Sequence, residues 1–413
     1  GEALRQGVAP DGSLYFPEQI PHLDTDTVDG LRGADLHTVA KKVLKPWLSD
    51  EIADEYLDGI IDSATTFPIS LTDVGDKKIL ELFHGPTMAF KDVAARYLAA
   101  LMGHYNRRDG YESRVLVATS GDTGGAIAHG FADVPGTTVT ILFPKGRVSE
   151  LQREQLTRTA PNVNAFEVDG VFDDCQRLVK EAFAETDLRE LHLSSANSIS
   201  VGRLIPQMVY YAYAWSQLPD GTDARFVVPT GNLGNLTAGV LAHRMGIPIA
   251  QFLGANNRND ALTRYLASGK YEPADTIETM SNAMDVGAPN NMPRFVKLFE
   301  GDPKATSELL QAVMIDDSAV IAAIRRVYKE HNYLLDPHTA VAWEASQRLS
   351  SREGRQDVII ATASPVKFSS EILAATGIKI SNERELAELR SRAAHVAELP
   401  NSYDALKQAL LDL

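Results

Sequence analysis

The stretch RVLVATSGDTGGAIAHGF, residues 114–131, decides the fold class. A run of apolar residues from Arg114 to Ala118 ends in small and hydroxyl residues and passes directly into a pattern that suits a helix. The same order of events recurs along the chain. TVTILF (138–143) ends at Pro144, Lys145 and Gly146; RFVVP (225–229) runs into TGNLGN and then LTAGVLAHRMG. PIAQFLGA (248–255) follows closely, and DVIIATA (357–363) comes late. Short apolar runs alternating with helical patterns predict parallel strands covered by helices on both faces, an α/β protein. Residues 36–62 read as helical. The tail over 383–413 is charged and helix-prone and reads as a terminal appendage more than a sheet. The resulting division is an N-terminal segment over 1–80, a large α/β domain from 81–100 and 220–413, and a smaller α/β domain over 101–219.

The 413 residues predict two or three domains with a core that needs no staples. Charged residues sum to 40 − 55 = −15, which argues against non-specific nucleic-acid binding and leaves room for a local basic pocket. The single cysteine, Cys175, excludes an intramolecular disulfide and any multi-cysteine metal site. No apolar run approaches the ~20 residues of a membrane span. The chain opens on GEALRQG with no initiator methionine and no signal-peptide core, which predicts a processed or trimmed N-terminus and a soluble, cytoplasmic protein.

Ligands of open α/β sheets bind at the carboxyl ends of strands, so the polar strand ends are the candidate site. Residues 118–125 combine glycines, which allow close backbone approach, with the hydroxyls of Thr119, Ser120 and Thr123 and a helix N-terminus that favours an anion. By itself the segment reads first as a strand-to-helix turn with an Asp or Thr cap. Gly231, Asn232, Leu233, Gly234 and Asn235 have neither dinucleotide nor Walker spacing, yet their N–H groups can hold a phosphate. The third signal is FHGPTMAFKD (83–92). Lys91, between an aromatic and an acid after a Gly-Pro turn, suits an amine that attacks an aldehyde, or a solvated lysine paired with Asp92. His84 reads as a core or turn histidine. Metal-spaced clusters and a nucleophile elbow are absent from the sequence, so no metal is expected.

Taken in order, HGPTMAFKD, ATSGDTGG, SANSISVGR, VPTGNLGNLTAG, SNAMDVGAPNN, DPHTAVA and ATASPVKF resemble threonine synthases of the bacterial and fungal type. These are pyridoxal-phosphate enzymes of fold type II, with the tryptophan synthase β-like architecture of two interleaved open sheets flanked by helices. The N-terminal GVAPDGSLYFP (7–17) is similar to that family as well. The resemblance implies pyridoxal 5'-phosphate as cofactor and Lys91 as its Schiff-base lysine. It implies that the loop from Gly231 to Asn235 cradles the cofactor phosphate, that Asp122 stands beside the cofactor's 3-hydroxyl, and that Thr362 faces its pyridine nitrogen. Thr119, Ser120 and Thr123 then bind the substrate α-carboxylate, and Asn197 and Arg203 its phosphate.

The implied reaction converts O-phospho-L-homoserine and water to L-threonine and phosphate, in a monomer or homodimer. The alternatives are a phospholyase that releases phosphate, ammonia and a 2-keto acid, and a non-catalytic protein that binds the cofactor or a metabolite. Two strings depart from the family pattern. Ser364 and Val366 stand in SPVKF where a His-Pro-Ala-Lys-Phe string is usual, and GNLG replaces GNFG. Lys367 is a rival Schiff-base lysine without the aromatic-Lys-Asp context.

Overall fold

The structure is a computed structural model that describes every residue except Pro10, Ser49 and Asp50, and the side chain of Pro303. Pro10, in the N-terminal string quoted above, therefore lies outside the described residues. Along the chain run β1 (Ser70–Val74), β2 (Lys77–Glu81), β3 (Ser113–Ala118), β4 (Thr137–Pro144), β5 (Val163–Val168) and β6 (Leu193–Ser194). They are followed by β7 (Asp223–Pro229), β8 (Gln251–Asn256), β9 (Leu310–Met314), β10 (Arg355–Ala361) and β11 (Val396–Leu399). The strands form two sheets, β1-β2-β10-β7-β8-β9 and β11-β5-β4-β3-β6. All pairings are parallel except the β1–β2 hairpin. Apart from their first residues, β4, β7 and β10 are almost continuously buried, as parallel strands covered on both faces require.

The chain divides into two compact units. Unit 1 comprises Gly1–Tyr15, Lys91–Arg203 and Ser381–Leu413, and unit 2 comprises Phe16–Phe90 and Leu204–Ile380. These divisions differ from the expected ones for a reason that lies in strand pairing. The hairpin β1–β2 docks along β10, which ties part of the N-terminal segment to the larger sheet. The tail is no appendage: β11 extends the smaller sheet by pairing with β5. Of its four residues only Leu399 is buried, so the apolar run was too short to signal a strand. The region 36–62 is helical as expected, in Leu36–Leu48 and Asp54–Ala64. No described helix is long and apolar enough to cross a membrane.

Each unit has its own core. In unit 1, Leu116, Leu142, Leu178 and the tail residues Leu406 and Leu410 pack together. In unit 2, Val227, Leu253 and Ile359 pack against Val341 and Trp343 of the helix Pro337–Arg348. At the opposite end of that sheet from the candidate site, Arg225 and Asp357 face each other across β7 and β10. Their two hydrogen bonds are 2.8 and 2.7 Å, and the side chains are 1% and 4% exposed. Removing one partner leaves a charge stranded in the interior. Asp357→Ala is therefore expected to cost about 3–5 kcal/mol in urea unfolding; a loss near that of a surface pair, ~0.5 kcal/mol, would contradict this account.

Candidate active site

In unit 1 the site grows from the end of β3. The Thr119 N–H continues the ladder to the Leu142 carbonyl at 2.9 Å. The Thr119 hydroxyl oxygen then accepts from the N–H groups of Gly121 (3.0 Å) and Gly124 (2.8 Å), satisfying donors at the start of the helix Asp122–Gly130. Thr119 is 1% exposed, so it shapes the loop from inside, whereas Ser120 is exposed and Thr123 half-buried. Gly121 has φ 134°, which favours glycine, and a Cβ there would lie 2.5 Å from the Gln152 amide and force it to shift.

Lys91 opens the helix Lys91–Asp109. Its Nζ lies 3.8 Å from Oδ2 of Asp122, with the two side chains 15% and 4% exposed. The other Asp122 oxygen accepts from Gln152 Nε2 at 3.0 Å. Asn197 donates through Nδ2 to the Ala118 carbonyl at 3.1 Å, which places the SANSISVGR string beside the end of β3. The Oδ1 of Asn197 and the Oγ of Ser200 are buried without a partner among the described residues. Arg203 donates to the Ala196 carbonyl at 2.7 Å and is 4% exposed. Burial pushes its guanidinium pKa down to about 10, with Asp92 opposing. Buried polar atoms left over in this string are what a polar ligand fits.

Unit 2 carries the Gly231-to-Asn235 loop and Thr362. The loop joins β7 to the helix Gly234–Arg244, and Leu233 caps it in the left-handed region at φ 61°. Asn235 is consumed in holding the turn: its Oδ1 accepts from the Thr230 hydroxyl (2.7 Å) and its Nδ2 donates to the Pro229 carbonyl (2.9 Å). A Cβ on Gly231 would lie 2.6 Å from the Met284 carbonyl oxygen, so the cradle exists only with glycine. Asn232 accepts from the Asn290 N–H, and Asn291 donates to the Asn232 carbonyl at 3.2 Å while accepting from buried Arg294. An open backbone turn at a helix N-terminus fits the cofactor's phosphate.

The segment that leads to Lys91 is pinned within unit 2. Phe90, one residue before Lys91, donates its N–H to the Thr362 carbonyl at 2.8 Å. Ser364 N–H donates to the Met88 carbonyl at 3.0 Å, and Lys367 Nζ to the Thr87 carbonyl at 2.7 Å. Lys367, 2% exposed, is thus a strut for this segment. Ser364 caps the short 3-10 turn that follows it, accepting from the Val366 N–H.

Several residues were missed in the sequence. Gln152 belongs to a Ser-x-x-Gln capping box, Ser149 to Gln152, which was visible as a helix start. His338 follows the Asp336-Pro337 helix start and reaches the wall of the cradle. The Ala283 N–H donates to its Nε2 at 3.1 Å, so Nδ1 carries the hydrogen and donates to Asp336 at 2.9 Å. Asp285 accepts from Thr279, Asn257 and Asn259 in the same wall.

The two open, largely parallel sheets flanked by helices are those of a pyridoxal-phosphate enzyme of fold type II. The family described as pyridoxal-phosphate dependent enzyme matches residues 80–364. The chain belongs to the threonine synthase family. Its N-terminal and C-terminal family regions match residues 1–65 and 339–410. Threonine synthase of Escherichia coli (strain K12) is 38% identical over 415 residues, covering 100% of this chain and 96% of that protein. The structure of PLP-bound threonine synthase from Brucella melitensis superposes with a TM-score of 0.93 at 34% identity, covering 99% and 95% of the two chains. That of threonine synthase from yeast gives 0.91 at 31% identity, covering 100% and 95%.

Two measurements check this geometry. Gly231→Ala is expected to weaken pyridoxal phosphate binding to the apoprotein by about tenfold or more, because the added methyl collides with backbone; unchanged affinity would separate the turn from the cofactor. Burial raises the Asp285 pKa to about 6, against the opposing hydrogen bonds from Thr279 and Asn257 and the influence of His338. A raised folded pKa makes the folded state bind more protons than the unfolded one between the usual carboxylate range and pH 6. The contribution to stability is therefore full in acid and lost as pH rises through 6. Relative to wild type, Asp285→Asn should gain stability between pH 5 and 7 in denaturant titrations, and a drift the other way would refute the shift.

Proposed function

We propose that this chain forms L-threonine and phosphate from O-phospho-L-homoserine and water, as a pyridoxal-phosphate-dependent lyase. The observation that carries the substrate class is Arg203, a guanidinium kept 4% exposed, with orphaned polar atoms of Asn197 and Ser200 in the same unit as Lys91 and Asp122. The buried Asn197 and Ser200 atoms left without a protein partner among the described residues are polar groups that a bound ligand can satisfy. A planar guanidinium donating in pairs suits a phosphate dianion better than a monoanionic carboxylate.

In this reading Lys91 holds the cofactor, Asp122 lies beside its 3-hydroxyl, and Thr362 faces its pyridine nitrogen. The turn from Gly231 to Asn235, with Asn232, Leu233 and Gly234 between, holds its phosphate. When bound, pyridoxal phosphate supplies an electron sink for the charge left on substrate carbon as protons depart. The Lys91 amine takes the proton from the substrate α carbon and moves protons at the β and γ carbons. Ser120 and Thr123, at the N-terminus of Asp122–Gly130, orient the α-carboxylate and so align the C–H bond with that amine, while buried Thr119 shapes their turn from inside instead of touching substrate as first expected. Arg203 and Asn197 hold the phosphate at the γ carbon as it leaves. Water then adds at the β carbon.

Full-length protein supplied with pyridoxal phosphate and O-phosphohomoserine should yield threonine and phosphate in equal amounts. Phosphate with 2-oxobutyrate would establish a phospholyase instead, and no turnover a binding protein. Arg203→Ala is expected to lower kcat/KM by about a hundredfold, the worth of paired hydrogen bonds to a charged group.

A further inference from the structure

We propose that Gln152 is the positioning residue for Asp122: its amide sets which carboxylate oxygen faces Lys91 and keeps the other as an acceptor. The inference rests on the reading of Lys91 and Asp122 as cofactor-facing residues. It adds a residue that lies far from both in sequence and on a different helix, Glu150–Thr157.

The orientation of the Gln152 amide follows from one backbone group. The Ser149 N–H lies 3.0 Å from Gln152 Oε1, and an N–H can only donate, so that atom is the oxygen. The remaining amide atom is the NH₂ nitrogen, 3.0 Å from Asp122 Oδ1. A donor at that distance requires Oδ1 to accept. The better acceptor of a carboxyl is its carbonyl-type oxygen, so this bond favours Oδ2, the oxygen 3.8 Å from Lys91 Nζ, as the seat of any proton that the Asp122 carboxyl carries. Gln152 thereby decides the side on which Asp122 exchanges a proton, a question that residue identity at position 122 leaves open.

The surroundings hold this contact in place. Gln152 is 3% exposed, and the missing Cβ of Gly121 is what lets its amide close on the loop. The helix is secured from the C-terminal tail: Arg390 pairs with Glu150 and Glu154, and the His395 N–H donates to the Thr157 carbonyl at 2.7 Å. The tail thus reaches the Asp122 carboxylate through one helix, without containing a site residue of its own.

Gln152 also completes a helix cap, so the test must separate the two roles. Ser149→Ala removes the cap's side-chain acceptor but keeps the backbone N–H that orients Gln152. Full-length Q152A, Q152E and S149A, loaded with pyridoxal phosphate, are compared in kcat, KM, melting temperature and the visible absorption band of the bound cofactor at fixed pH. Q152A is expected to lower kcat about tenfold, the worth of a hydrogen bond to a charged group, and to displace the visible band. KM should stay within about twofold, because substrate grips are untouched. Q152E places two carboxylate oxygens at hydrogen-bond distance, which must share a proton, and should displace the band at least as far. S149A should lower the melting temperature alone. If Q152A and S149A behave alike in every readout, Gln152 is only a cap and the proposal fails. Borohydride reduction and peptide mapping of wild type distinguish a deeper failure: label on a lysine other than Lys91 would remove the reading beneath both.

Discussion

The feature on which the site depends is a seam of hydrogen bonds between two segments of unit 2 that lie far apart in sequence. It begins as the β2–β10 ladder, continues beyond the sheet through the Leu82 N–H to the Ala361 carbonyl, and ends at Thr87, Met88 and Phe90. Met88 sits at φ 56°, a left-handed conformation that costs of order 1 kcal/mol or more for a residue with a side chain. Bonds on either side of it, from Ser364 and Lys367, hold the backbone there. The Met88 carbonyl and the Phe90 N–H both belong to the seam, so the chain is already pinned when it reaches Lys91. Lys367, which looked like a competing nucleophile, contributes by anchoring: an amine donating to a buried carbonyl is committed to structure.

A second constraint acts at both candidate anion turns. A helix that starts at a strand end brings N–H groups without intrahelical partners, and these must be shared between the protein and a ligand. At residues 119–124 the Thr119 hydroxyl takes two of them, leaving the outer turn for a bound anion. At residues 230–235 the Asn235 amide ties Thr230 and Pro229, which holds the loop open beside Met284. The residues that resemble ligand contacts in sequence thus divide by role, some shaping the turn from inside and some lining it. The acidic excess of the whole chain does not conflict with a phosphate-binding function. Guanidinium groups such as Arg203 and Arg294 are buried locally, where the long-range field is weaker than the immediate environment.

The α/β class and the chief strands were legible because parallel strands buried on both faces need unbroken apolar runs. RVLVA, TVTILF and DVIIA announced β3, β4 and β10 in this way. Of the strands that were not foreseen, β6 and β11 are short edge strands, whereas β2 and β5 lie inside their sheets but alternate buried and half-buried residues or carry charges that interrupt the apolar run. The pairs that make the site work were less visible still. Nothing in the spacing of Asp122 and Gln152, or of Lys367 and Thr87, indicates that they touch, since each pair is joined only when separate segments fold together. The Ser149-to-Gln152 spacing carried an unused capping-box signal for a helix start, and the second partner of Gln152 lay outside any local signal.

The sequence by itself determined the elements that local chemistry controls. Apolar runs specify strands, glycines at 121 and 231 specify close approach, and hydroxyl and amide residues at strand ends specify the turns that start helices. Its ordered motifs also determined the family. Tertiary structure alone decided which of those groups are consumed internally and which are left over. Thr119, Asn235 and Lys367 spend hydrogen-bonding capacity on backbone, whereas Asn197 Oδ1 and Ser200 Oγ remain buried with no partner among the described residues. The physical reason is that hydrogen-bond satisfaction is an account closed over all neighbours in space, and a buried polar group's role depends on what remains after the fold has taken its share.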